Sequence, residues 1–176
     1  MALAGLSAAP IPPVAVHVGD PAGLLAAERL GAIDLEARLL DFEAKTGIRI
    51  LVQFHAKSPS AAEDQVPGAY MRALAVHLGT RQHGVLVVYF ADDPDWRIWI
   101  GDDLAAQFAG QPGTVGELTA SKAIHDVKEA LLASAHAKAE AAFAALQKSS
   151  SPTPAQHLVL QTNAVLDALM SRLTPK

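Results

Sequence analysis

Hydrophobic and polar positions change period along the chain, and each change marks an element. Val14, Val16 and Val18 alternate with Ala15 and His17, a short strand pattern that Gly19-Asp20-Pro21 stops. From about Ala26 to Thr46, Leu35, Leu39 and Phe42 recur at helical spacing, with Ile33 and Leu40 widening the stripe. Gly47 is placed to close that helix in the left-handed conformation. Ile48, Ile50, Val52 and Phe54 then fall on one face of a strand, and Arg49, Leu51, Gln53 and His55 on the other. Ser60 and Glu63 have the spacing of a capping box, so a second helix is expected to start there, break at Pro67-Gly68 and resume from Ala69 to Leu78. Val85 to Phe90 is a continuous run of β-branched, leucine and aromatic residues, which suits a central strand covered on both faces. The turn Ala91-Asp92-Asp93-Pro94-Asp95 leads into alternation from Trp96 to Ile100, so an antiparallel hairpin is expected, with Trp96 and Trp99 on opposite faces.

The second half carries no strand pattern. Thr114 and Glu117 form another possible capping box ahead of Ala-rich sequence that runs to about Gln147 as one helix or two, with Ile124, Val127, Leu131, Ala135, Ala142 and Leu146 inward. Thr153, Pro154 and Gln156 supply the cap, the first-turn proline and the third-position partner of a last helix. Its buried stripe is Leu158, Thr162, Val165, Leu169 and Leu173. This order predicts an α/β three-layer sandwich with a mostly parallel sheet, an antiparallel edge hairpin and a helical C-terminal third. The link from strand 48–55 to strand 85–90 is expected to be a right-handed crossover. Residues 1–13 read as a flexible N-terminal segment and 14–176 as a single domain, with C-terminal helices over 115–148 and 154–173.

Composition narrows the function classes. At 176 residues the chain suits one domain, and a core of that size needs no disulfide, which agrees with the absence of cysteine. Fourteen Lys and Arg against eighteen Asp and Glu give a net charge of −4, the wrong sign for a surface that tracks nucleic-acid phosphates. A hydrophobic share of 51% with 18% charged residues excludes disorder. The longest apolar run, Val85 to Ala91, falls far short of the roughly 20 residues a membrane-spanning helix requires. Met1 to Pro13 lacks Lys and Arg, yet small residues from Ala4 to Ala9 are like the tail of a secretory signal. A periplasmic or otherwise extracytoplasmic location is expected, with a cytoplasmic one as the alternative.

Candidate chemistry is sparse. There is no phosphate-binding loop, no Gly-x-Ser-x-Gly elbow and no thiol nucleophile. Strands that run the same way bring Asp20 to the sheet end occupied by the 91–95 turn, so Asp20, Asp92, Asp93 and Asp95 are candidate ligands for a hard divalent ion such as Ca²⁺ or Mg²⁺. The competing reading is plain turn chemistry, to which aspartate is suited. Asp102 and Asp103 lie roughly 16 Å further along the hairpin and with His83 form an alternative site, unless Asp102 simply caps the next helix. His17, His55, His77, His125, His136 and His157 show no metal-ligand spacing and are expected at surface or half-buried positions without a role.

Several segments together resemble the TPM domain family: Asp20-Pro-Ala-Gly-Leu-Leu25 followed by Glu28, Thr46-Gly47-Ile48, His83-Gly84-Val-Leu-Val-Val88, and Arg97-Ile98-Trp99-Ile100-Gly101. The likeness covers roughly residues 16 to 110, with His83 where the family usually shows asparagine. It implies an extracytoplasmic α/β domain that serves membrane-protein or envelope maintenance, engages a protein partner there and binds a divalent metal. Some plant members of the family have acid phosphatase activity. Two functions are therefore expected: a TPM-like binding or accessory module, or alternatively a metal-dependent acid phosphatase acting on phosphomonoesters.

Overall fold

The structure, a computed structural model, describes residues 17–174. Its sheet has the order β1 (Val18–Gly19), β2 (Arg49–His55), β3 (Gly84–Phe90) and β4 (Asp95–Ile100). The first three strands are parallel and β4 runs antiparallel to β3, which is the mostly parallel sheet with an edge hairpin that the patterning predicts.

Burial explains why the two central strands read as nearly unbroken apolar runs. Ile50, Val52, Phe54, Val85 and Val87 pack on one face against α1 (Arg29–Thr46), α5 (Ala123–Gln147) and α6 (Pro154–Leu173). Leu51, Leu86, Val88 and Phe90 pack on the other against Met71 and Ala75 of α2 (Ala69–His77). Each large apolar side chain taken out of water on either face contributes about 1.5–3 kcal/mol. The chain steps in one direction from β1 to β2 to β3 while α1 and α2 cover opposite faces. The two crossovers therefore have opposite hands, and at most one of them is right-handed.

The helical third forms α3 (Ala105–Ala109), α4 (Val115–Ala120), α5 and α6. Lys122, at φ 61°, breaks the Ala-rich stretch into α4 and α5. The capping boxes of Thr114 with Glu117 and of Thr153 with Gln156 both form. The buried residues of α6 include the whole expected stripe. On α5 the stripe runs through Leu131, Ala135 and Ala139, and Ala142 is exposed.

Other departures have local causes. Val14 and Val16 lie outside the described residues. α1 starts at Arg29 instead of Ala26, because the Asp20 carboxylate accepts from the N–H groups of Leu24 and Leu25 and holds 20–28 as turns. Ile33 and Leu40 stay exposed, since α1 presents only the narrow Leu35, Leu39 and Phe42 stripe to the sheet. Ser60 and Glu63 do bond to each other, but they close a turn, and the helix begins only after Gly68 at φ 82°.

Hydrogen bonding between β3 and β4 has a fixed phase. Gly101 donates to the Gly84 carbonyl, directly opposite in register, at 2.8 Å. A Cβ on Gly101 would stand 2.4 Å from the Gln82 carbonyl oxygen and 2.7 Å from that of Gly84, both backbone atoms with little room to yield. Gly101→Ala is accordingly expected to cost about 1–3 kcal/mol in urea unfolding. A neutral substitution would show that this approach is looser.

Candidate functional site

The three parallel strands end together, at Gly19, His55 and Phe90, and the acidic residues gather beyond that rim. Asp20 shares the sheet end with the 91–94 turn, as expected. It stands at the β1 edge, however, with β2 and β3 between it and β4, a separation of about 14 Å at the usual strand spacing. Both of its oxygens are engaged at 2.8 Å by the Leu24 and Leu25 N–H groups. Asp92 accepts from the Ser58 N–H at 2.8 Å, the Ser58 hydroxyl at 2.9 Å and the Asp93 N–H at 3.0 Å, tying the loop after β2 to the hairpin turn. These bonds, the Ser58 N–H foremost, hold its carboxyl below the usual aspartate range. Asp95 pairs with Arg97 at 3.2 Å, and Arg97 reaches Asp64 at 3.0 Å. Asp93 stays in the exposed turn.

These four carboxylates do not gather around one point. Among the described residues no group of three or more His, Asp or Glu is placed to hold a metal ion. The donor set at the rim thus does not fit a single hard cation, and no chemical step is derived through one. The alternative set is brought only partly together: His83 Nδ1 lies 3.8 Å from Asp103, both exposed. Asp102 does not cap the next helix with its side chain, because it already lies inside the 3₁₀ turn Asp102–Leu104.

His17 departs most from expectation. It is 1% exposed, and its two ring nitrogens face Glu36 at 2.9 Å and Glu43 at 2.6 Å. Glu36 also accepts from the backbone N–H groups of His17 and Val18, so the clamp seats β1 on α1. Each ring nitrogen thus stands within hydrogen-bond distance of its own carboxylate. Glu36 and Glu43, seven residues apart on the buried side of α1, were the available sequence signal.

The concavity that joins the most varied chemistry lies along β4. A groove of about 490 Å³ runs between the segment that leads into α2, at Asp64, Pro67 and Met71, and the α4–α5 side, at Thr119, Ile124 and Lys128. It continues past Trp96, Glu129 and Leu132 into a second space of about 330 Å³. Trp96 packs edge-on against Phe54 on one sheet face, and Trp99 belongs to the opposite face, as the alternation predicts. The Lys128 ammonium donates to the Ile98 carbonyl at 3.1 Å. Burial pushes its pKa down, and Glu129 only partly opposes this. A larger cavity, about 1050 Å³, lies between α3, α5 and α6, where its Arg172 is already bonded to the Phe108 and Ala109 carbonyls.

No protein-family model matches the chain, and no curated protein does. A solution NMR structure of the N-terminal domain of a P. gingivalis protein is similar, at 17% identity and a TM-score of 0.49, covering 89% of this chain and 83% of that one.

Two expectations follow for the rim. Asp20→Ala removes acceptors from two backbone N–H groups and should cost about 1 kcal/mol, as losing a helix cap does, with Ca²⁺ or Mg²⁺ leaving the melting temperature of the parent protein unchanged. A rise on adding either ion would restore the metal reading. For Asp92, whose folded pKa is lowered from 3.8, the stability it contributes is complete above that pH and disappears as pH falls through the lowered value. Asp92→Asn should therefore flatten the acid limb of a stability–pH profile, and an unchanged limb would show that the Ser58 contacts carry no weight.

Proposed function

We propose that this chain is a TPM-like binding or accessory module that works on the extracytoplasmic side of a membrane and engages a protein partner. The observation that carries the reading is the groove beside β4, a sheet edge flanked by two half-buried tryptophans and by charged side chains from three separate elements. Edge strands with exposed backbone groups are ready sites for protein recognition, and tryptophan at such an edge gives a large apolar contact with a polar handle. The TPM resemblance of residues 16 to 110 supplies the setting. No helix among the described residues is long and apolar enough to cross a membrane, so an attachment to one would come through the partner or through other sequence.

The alternative, a metal-dependent acid phosphatase, needs one ion shared by Asp20 and the hairpin turn to polarise a phosphate oxygen and activate water. Its support is the common rim. Its difficulty is that Asp20 and Asp92 already serve as acceptors for backbone N–H groups in separate loops. Hydrolysis of an aryl phosphate between pH 4 and 8, with and without Ca²⁺ or Mg²⁺, separates the two functions. The binding reading expects release at the level of buffer in the parent protein. Metal-dependent release that is lost in both Asp20→Ala and Asp92→Ala would overturn it.

A further inference from the structure

The chemistry of the β4 edge narrows the partner. In an antiparallel pair, directly opposed residues alternate between exchanging both hydrogen bonds and exchanging none. Gly101 with Gly84 is a bonded pair, so Trp99 with Leu86 and Arg97 with Val88 are bonded pairs as well. The intervening residues, Trp96, Ile98 and Ile100, turn their N–H and C=O groups away from the sheet. Lys128 confirms this phase independently, because its ammonium takes the Ile98 carbonyl, one of the outward ones. Three outward positions over five residues make a ladder about 16 Å long, enough to pair a short extended segment.

What covers that ladder is lysine instead of backbone. Lys128 occupies one outward carbonyl at the cost of burying its charge, while the groove on either side stays open. The charge of the groove selects among extended segments. Asp64, Asp95, Asp102 and Glu129 face Arg97 and Lys128, so carboxylates outnumber cations by two. Asp64 and Asp95 share the single Arg97 guanidinium and Glu129 acts on Lys128, so the groove keeps an excess of carboxylate, Asp102 included, to meet charge brought from outside.

We propose that the β4 edge accepts an extended, basic segment of a partner protein as a fifth strand, whose backbone displaces Lys128 from the Ile98 carbonyl. The inference rests on the reading of the chain as a binding module and specifies the partner's chemistry. Main-chain pairing to Trp96, Ile98 and Ile100 supplies the register, and Lys or Arg side chains on the incoming strand meet Asp102 and Glu129. Displaced from Ile98, Lys128 regains water. The lysine thus guards the edge against indiscriminate pairing and yields to a segment that offers backbone along the whole ladder.

The test titrates ¹⁵N-labelled protein with a capped peptide of alternating lysine and valine, about six residues long. Two controls accompany it: the same peptide with N-methylated amides, and a glutamate–valine counterpart. The amides of Trp96, Ile98 and Ile100 should shift with the lysine peptide and stay still with both controls. Lys128→Met, verified as folded by circular dichroism, should bind the lysine peptide about two- to tenfold more tightly, the equivalent of releasing one competing hydrogen bond. Asp102→Asn with Glu129→Gln should weaken binding. Equal binding of the N-methylated peptide, weaker binding by Lys128→Met, or shifts confined to another surface would each overturn strand addition at β4. A protein partner shown to bind elsewhere on the chain would do so while leaving the binding-module reading intact.

Discussion

The contact between Gly101 and Gly84 is the constraint on which the described surface depends. Once the Gly101 N–H meets the opposite carbonyl, alternation decides the direction of every backbone group in β4. Trp96, Ile98 and Ile100 then present their main chain outward while their side chains pack inward with the sheet, and the groove inherits a polar ladder with apolar walls. Only a glycine fits at 101, because the connection from Thr80 to His83 passes against it, with Asp102 and Asp103 donating to the Arg81 and Gln82 carbonyls. Sequence at one tight crossing thus sets the chemistry of an edge several residues away.

The opposite edge is managed differently. β1 is only two residues long among those described; the Val52 N–H donates to the His17 carbonyl, and the His17 ring is clamped between Glu36 and Glu43. A buried ring with a carboxylate at each nitrogen has both of its polar atoms partnered, and Glu36 adds bonds to two backbone N–H groups. One edge is therefore fastened to the helix beneath it by the His17 clamp, whereas on the other Lys128 takes the Ile98 carbonyl.

Much of the architecture was legible because each element needed only local information. The buried stripes of α1 and α6, the continuous apolar run of β3, and the two capping boxes at Thr114 and Thr153 follow from period and spacing, and the structure has them. Where expectation failed, a competing interaction lay outside the window being read. Asp20 diverts residues 20–28 from helix by capping its own turn, and Ser60 with Glu63 closes a turn that Gly68 separates from α2. The acidic rim was legible as a shared sheet end but not as a spread of positions across four strands, since period places a residue along a strand and not across the sheet. His17 was missed for a related reason: its partners lie 19 and 26 residues on, and only the α1 face brings them together.

The central claim, that the outward phase of β4 is open to a partner, meets its most direct test in amide hydrogen exchange measured along that strand. The account predicts alternation, with the amides of Arg97 and Trp99 protected by β3 and those of Trp96, Ile98 and Ile100 exchanging much faster. Uniform protection across all five would contradict it, because it would mean that the edge is already paired.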